Sequence, residues 1–89
     1  MAVISKQVSV TTTETLLHTA IGKSKLTIRS VSTLNVFVGP TGLTISNGFQ
    51  LNEIANSPSK NYGVELSDGS SLFAITSAST GIIHVLVET

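Results

Sequence analysis

Two histidines are the side chains of this sequence that could move a proton near neutral pH, because imidazole titrates in that range. His18 and His84 each stand among apolar and hydroxyl residues. A hydrolytic triad would need a positioned serine, but no serine lies in a Gly-x-Ser-x-Gly motif. Zinc would need a third ligand at suitable spacing, and neither histidine has one. The sequence therefore predicts structural histidines, with no catalytic group and no metal site.

The other charged residues offer no second chemistry. Lys23, Lys25 and Arg29 are the only basic concentration, which is enough for at most a weak phosphate contact. The Gly-Pro-Thr-Gly stretch at 39–42 has the outline of a GxxG loop but no basic neighbours, and it lacks the Lys-Ser/Thr ending of a P-loop. The carboxylates stand singly, so none forms a glycosidase pair. They are Glu14, Glu53, Glu65, Asp68 and Glu88. We expect a protein that is not an enzyme, with no cofactor and no nucleic-acid partner.

Composition indicates one small, weakly charged domain spanning residues 1–89, with 1–6 as a flexible N-terminal arm. Charged residues make up 11% of the chain and the net charge is zero, while serine and threonine fill 25 positions. Such surfaces repel one another poorly, which favours association. There is no cysteine. The start lacks the apolar segment of a secretory signal, and no run approaches the roughly 18 apolar residues of a membrane span. This predicts synthesis in the cytoplasm and no membrane partner.

Strand patterns recur about every eight to twelve residues, which is typical of sandwiches and barrels. We predict an all-β fold of about eight short antiparallel strands, as a β-sandwich, jelly-roll-like or as a flattened barrel. The predicted strands cover residues 6–12, 14–20, 24–32, 34–38, 43–46, 61–67, 71–77 and 82–88. The last strand is apolar on both faces. It should therefore be central in the sandwich or be covered by a neighbouring subunit.

The connections carry recognisable turn residues. Asn47-Gly48 and Asp68-Gly69 are pairs that form two-residue type I′ hairpins, and residues 39–42 fit a tight turn. Residues 52–61 form the longest stretch without strand alternation, broken by Pro58. This stretch is either a solvated surface loop or a contact loop, since irregular loops on a rigid β scaffold often carry binding specificity.

Six short motifs follow one another in a characteristic order along the chain. They are Val8 with Val10, LTIR at 26–29, VFVG at 36–39, GFQL at 48–51, LFAI at 72–75 and HVLV at 84–87. In this order the chain resembles small all-β virion proteins of tailed bacteriophages, of the capsid decoration (cement) or head-fibre type. The likeness covers nearly the whole chain and departs from the pattern at residues 52–61.

The resemblance implies a structural protein that binds and stabilises the phage head shell. Its implied partners are the major capsid protein and further copies of itself, as a homotrimer, and its place is the capsid surface of the virion, after synthesis in the host bacterium. Termini and irregular loops can order on a partner, so the candidate contact residues are Val3, Ile4, Ile54, Pro58 and Lys60. The alternative is a tail- or head-fibre adhesion module that binds a host surface glycan through hydroxyls and amides.

Overall fold

The computed structural model describes residues 3–52 and 59–89, and every regular element in these two ranges is a β-strand. The strands are β1 (Val3–Val10), β2 (Thr15–Thr19), β3 (Ser24–Ser30), β4 (Val36–Gly39), β5 (Phe49–Gln50), β6 (Tyr62–Leu66), β7 (Ser71–Thr76) and β8 (Gly81–Glu88).

The strands pair as one long hairpin that has been rolled up. β1 pairs with β8, β2 with β7, β3 with β6 and β4 with β5, all antiparallel. Rolling also brings β3 against β8 and β4 against β7. The result is two four-stranded sheets, sheet A in the order β1-β8-β3-β6 and sheet B in the order β2-β7-β4-β5. This arrangement is a jelly roll, so the prediction of an all-β antiparallel sandwich is confirmed.

The core lies between the two sheets and is built mainly from alternate residues of the longer strands. Side chains that point inward are aliphatic and almost fully buried, as expected when two sheets pack face to face. The largest of them are Val10, Leu17, Leu26, Ile28, Val36, Leu51, Ile83, Val85 and Val87. The second face of each sheet is left to meet solvent, a loop or a partner.

β8 occupies an inner position of sheet A, between β1 and β3. Its inward residues Ile83 and Val85 are buried, whereas Ile82 is 39% exposed and Leu86 is 37% exposed. The strand is therefore central within its sheet, as one of the two predicted alternatives required. Its outward apolar residues nevertheless remain uncovered in the single chain.

The predicted strand at 43–46 is wrong, because this segment forms a turn over the outer face of sheet B. Thr44 and Asn47 close the turn with reciprocal backbone-to-side-chain hydrogen bonds of 2.8 and 3.3 Å. Leu43 is buried against Gly39 and Gly48. The fifth strand is instead the two-residue β5, Phe49–Gln50. The side-chain hydrogen bonds of Thr44 and Asn47 stabilise a turn in place of the strand that the alternation of the sequence predicted.

Neither X-Gly pair forms the predicted type I′ hairpin, which requires positive φ at both residues. Of the four residues, only Gly69 has positive φ, at 83°. Asp68 and Gly69 join β6 of sheet A to β7 of sheet B, so they carry the chain between sheets. The Asp68 carboxylate accepts the Gly22 N–H at 2.8 Å, which fixes this crossing.

Of residues 1–6, expected to be a flexible N-terminal arm, residues 3–6 are part of the sheet, and residues 1–2 lie outside the described residues. Residues 3–6 begin β1 and pair with Val85–Glu88 of β8 in unbroken register. Pairing to the long final strand supplies the backbone hydrogen-bond partners that a free arm would lack.

Candidate partner-binding surfaces

The predicted contact residues Val3 and Ile4 lie at the start of β1, an edge strand of sheet A. They are 63% and 47% exposed. Successive strand residues point to opposite faces, so Val3 shares the outer face with Glu88, its neighbour on β8, while Ile4 lies at the rim of the space between the sheets. The two residues therefore cannot belong to one flat contact on either face.

The other described contact residue, Lys60, is exposed and lies just before β6, at the opposite edge of sheet A. Its neighbour Ser59 is fixed to the end of β3: the Ser59 N–H donates to the Ser30 carbonyl at 3.0 Å, and the Ser30 N–H donates to the Ser59 hydroxyl at 2.7 Å. Ile54 and Pro58 lie outside the described residues. The structure thus places Lys60 far across the sheet from Val3 and Ile4.

The outer face of sheet A, meaning the outward side chains of its four strands, forms a surface of mixed apolar and hydroxyl character. β1 contributes Ser5, Gln7 and Ser9; β8 contributes Ile82, His84, Leu86 and Glu88; β3 contributes Lys25, Thr27 and Arg29; and β6 contributes Gly63 and Glu65. Val31, which is 45% exposed, follows β3 and donates its N–H to the Ile82 carbonyl.

Charges on this face are arranged unevenly. Lys25 lies directly between Glu88 on β8 and Glu65 on β6. Arg29, on the same strand, instead lies opposite His84. Beside Arg29 and His84 is an open depression of about 260 Å³, which Ser5, Thr27, Asn61 and Leu86 also line. The face therefore has a balanced end and a cationic, concave centre.

His84, which the sequence predicts to be structural, lies on the outer face of sheet A between Ile82 and Leu86. Within residues 3–52 and 59–89, however, its ring has no hydrogen-bond or ion-pair partner. Its ring is half-buried beside Arg29, where it can still meet a group on another molecule.

His18 lies on β2, an edge strand of sheet B. Its Nδ1 lies 3.2 Å from Lys6 Nζ, which reaches over from β1. Burial of the ring, and then the positive charge of Lys6, lower the pKa of His18 below its ordinary value. A neutral ring accepting from the Lys6 ammonium fits this arrangement. The contact joins the two sheets at their β1–β2 edge and points to a structural role.

At the β5–β6 edge an apolar cleft of about 300 Å³ opens between the sheets. Phe49, which is 61% exposed, and Tyr62 meet edge to face at its mouth, with ring centroids 5.9 Å apart and an interplanar angle of 79°. Ile28, Leu51 and Leu72 line its floor. Phe49 is thus an aromatic ring available to a flat or apolar ligand.

Among the described residues, no three His, Asp or Glu side chains come together in a way that could hold a metal ion. No helix in residues 3–52 and 59–89 has the length and apolar character needed to cross a membrane. A scan of the sequence against protein-family models and a search of curated proteins find no match.

Sequence reasoning missed the outer face of sheet A as a single surface. The alternation of β3 does place Lys25 and Arg29 on one face, and that of β8 places Ile82, His84 and Leu86 together. What the sequence lacks is the register that brings Arg29 beside His84, because these residues are far apart in the chain and meet only through β3–β8 pairing.

Proposed function

We propose that this chain is a structural virion protein of a tailed bacteriophage, which binds the outside of the capsid through the major capsid protein and strengthens the shell. The observation that carries the proposal is the outer face of sheet A. On it Ile82, Leu86 and Val31 lie exposed among hydroxyl side chains on a rigid scaffold. Apolar residues held rigidly and surrounded by polar groups are what a protein partner covers.

The fold agrees with this function without deciding it. Jelly rolls occur in viral capsid proteins and in lectins, and one fold hosts many functions. The order of the motifs resembles that of phage decoration proteins, and this resemblance supports a place in a phage particle. The low charge of the chain favours binding through uncharged contacts. A surface with few charges must rely on apolar and hydroxyl contacts, which salt screens little.

Weak contacts become effective when they are repeated around a shell. Linked copies bind with far higher avidity than one copy, and a homotrimer, the state that the resemblance implies, would place three such faces together. We expect light scattering to detect self-association that increases with protein concentration. A monomer at all concentrations would contradict autonomous trimers.

The experiment that tests the function mixes purified protein with undecorated mature shells. We expect the protein to co-sediment with the shells at low and high salt and to raise the temperature at which the shells release their DNA. Absence of binding, together with adherence to host cells, would refute the cement function.

Two matched variants locate the contact. Leu86→Gln removes an apolar side chain from the outer face of sheet A, and Leu16→Gln removes one from β2 of sheet B, where Leu16 is 48% exposed. We expect Leu86→Gln to lose shell binding and Leu16→Gln to retain it. The reverse result would move the contact to sheet B.

A second candidate function, recognition of a host glycan, is favoured by one observation, the exposed ring of Phe49 beside Tyr62. Sugar rings commonly stack on such aromatic faces. If the chain is an adhesion module, Phe49→Ala should abolish binding to host cells while Leu86→Gln leaves it unchanged.

A further inference from the structure

We propose that the centre of the outer face of sheet A, where Arg29 lies opposite His84, is a docking site for an acidic side chain of the partner protein. The inference deepens the proposed function by naming the chemistry of the partner's contact, and it rests on that function only for the identity of the partner.

Hydrogen-bond donors converge on this point from neighbouring strands. In the register of sheet A, Gln7 on β1 lies opposite His84 on β8, and His84 lies opposite Arg29 on β3. Asn61, just before β6, lines the same depression. All four side chains can donate hydrogen bonds. Gln7, His84 and Arg29 stand on paired strands, so the spacing of their backbone positions is fixed before a partner arrives.

The positive charge of Arg29 favours an anionic group at this site. Lys25 has a glutamate directly opposite on both sides, Glu88 and Glu65. Arg29 carries the same charge on the same strand, but its register partner on β8 is His84, and among the described residues no carboxylate lies opposite it on either neighbouring strand. Neither cation forms an ion pair within residues 3–52 and 59–89. A guanidinium presents a planar fork of donors that matches a carboxylate in two parallel hydrogen bonds. Arg29 is thus a cation that can pair with a carboxylate from outside the chain.

The surroundings favour a carboxylate on a protein. Exposed Ile82 and Leu86 flank His84 along β8. Arginine is enriched at protein interfaces and among the hot-spot residues near their centres, where apolar contacts exclude water. A saccharide would usually stack on an aromatic ring, yet the described aromatic residues lie elsewhere: Phe37, Phe49 and Phe73 belong to sheet B, and Tyr62 packs against the core.

The depression has room for the end of an acidic side chain. Its volume of about 260 Å³ is lined by the hydroxyl-bearing Ser5 and Thr27 and by Leu86. Such a space accepts the end of one acidic side chain and leaves its apolar neighbours to rest on Ile82 and Leu86. The expected partner surface is therefore an aspartate or glutamate flanked by aliphatic residues.

A titration of the ¹⁵N-labelled full chain tests the inference without any shell. The probes are the peptide acetyl-Leu-Asp-Leu-amide and its Asn counterpart, which has the same shape but no charge. We expect the Asp peptide to shift the signals of Arg29, His84 and Thr27 and to bind at least about tenfold more tightly than the Asn peptide, because a hydrogen bond to a charged group is stronger.

Variants identify the residue responsible. Arg29→Gln and Lys25→Gln each remove one positive charge from the same face of β3. Arg29→Gln should abolish the preference for the Asp peptide, and Lys25→Gln should keep it. Because both side chains are exposed, both variants should fold, which their amide spectra will report.

Three results with small ligands would overturn the docking site, and a fourth comes from shell binding. The first is equal binding of the Asp and Asn peptides, and the second is equal loss of binding in both variants. The third is tighter binding of glucuronic acid than of the Asp peptide, which would make this a saccharide site. If wild-type protein and Arg29→Gln bind shells equally well, the cement function stands and the docking site fails.

Discussion

Gly48 should be the position where a single methyl group disturbs this fold most clearly. A Cβ added there would lie 2.7 Å from Phe37 Cβ, 2.8 Å from Leu43 Cδ1 and 3.0 Å from the Thr44 carbonyl oxygen. The end of Leu43 can rotate away. Phe37 Cβ and the Thr44 carbonyl cannot, because they belong to β4 and to the hydrogen-bonded turn at 44–48. Gly48→Ala therefore forces the turn off sheet B.

Overpacking of this kind costs about 1–3 kcal/mol, and two immovable neighbours place Gly48→Ala near the middle of that range, at about 2 kcal/mol. For a domain of this size each kcal/mol lowers Tm by roughly 4–8 °C. We therefore expect Tm to fall by about 10 °C, together with a lower midpoint in urea.

Gly63→Ala is the matched control, because nothing lies within 4 Å of a Cβ added to Gly63 and its φ is not positive. This variant should be neutral or more stable by about 0.4–1 kcal/mol, since alanine narrows the unfolded ensemble. Equal urea midpoints for the two variants would refute the close approach of the turn to sheet B.

Four other predictions concern Asn52, Leu43 and the contact between His18 and Lys6. Asn52→Ala should lower the free energy of unfolding by about 1–3 kcal/mol. Buried Asn52 accepts the Val36 N–H at 3.2 Å, and alanine would leave that donor without a partner. Urea unfolding measures the loss, and an unchanged midpoint would refute it. Leu43→Ala should leave a cavity over sheet B and lower the free energy of unfolding by about 2 kcal/mol or more. An unchanged Tm would contradict this prediction. The pKa of His18 is lower in the folded chain than in the unfolded chain, so as pH falls the unfolded chain binds a proton first. The free energy of unfolding should therefore decrease as pH falls below about 6.5. Lys6→Gln should raise the pKa of His18 in an NMR titration, and an unchanged value would show that Lys6 has no part in it.

The architecture could be predicted because alternation along a strand reflects burial directly. The pattern of β3 separates the inward residues Leu26 and Ile28 from outward ones such as Lys25, and the structure has the same division. Eight strand-like segments with turn residues between them were enough for an antiparallel sandwich. Seven of the eight predicted strands overlap observed strands.

The errors arose where a local pattern has two structural solutions. Leu43 and Ile45 alternate as in a strand, but Thr44 and Asn47 have side chains that close a turn, and only packing on sheet B decides between these outcomes. Asp68-Gly69 carries the chain to the other sheet, which a hairpin signal cannot reveal. The outer face of sheet A required the register between β3 and β8, and such long-range pairing leaves no trace in a window of residues.

The nested pairing of strands also sets the order in which the chain can fold. Contact between Val38 and Phe49 closes a short loop, whereas contact between Val10 and Gly81 closes most of the chain. Closing a longer loop costs more entropy, so each inner pair shortens the search for the next one outward. Sheet pairings of this range make folding slow compared with helical proteins of similar size. The β1–β8 pair should therefore form last, and until it does the backbone edge of β8 that β1 covers stays unpaired and open to aggregation.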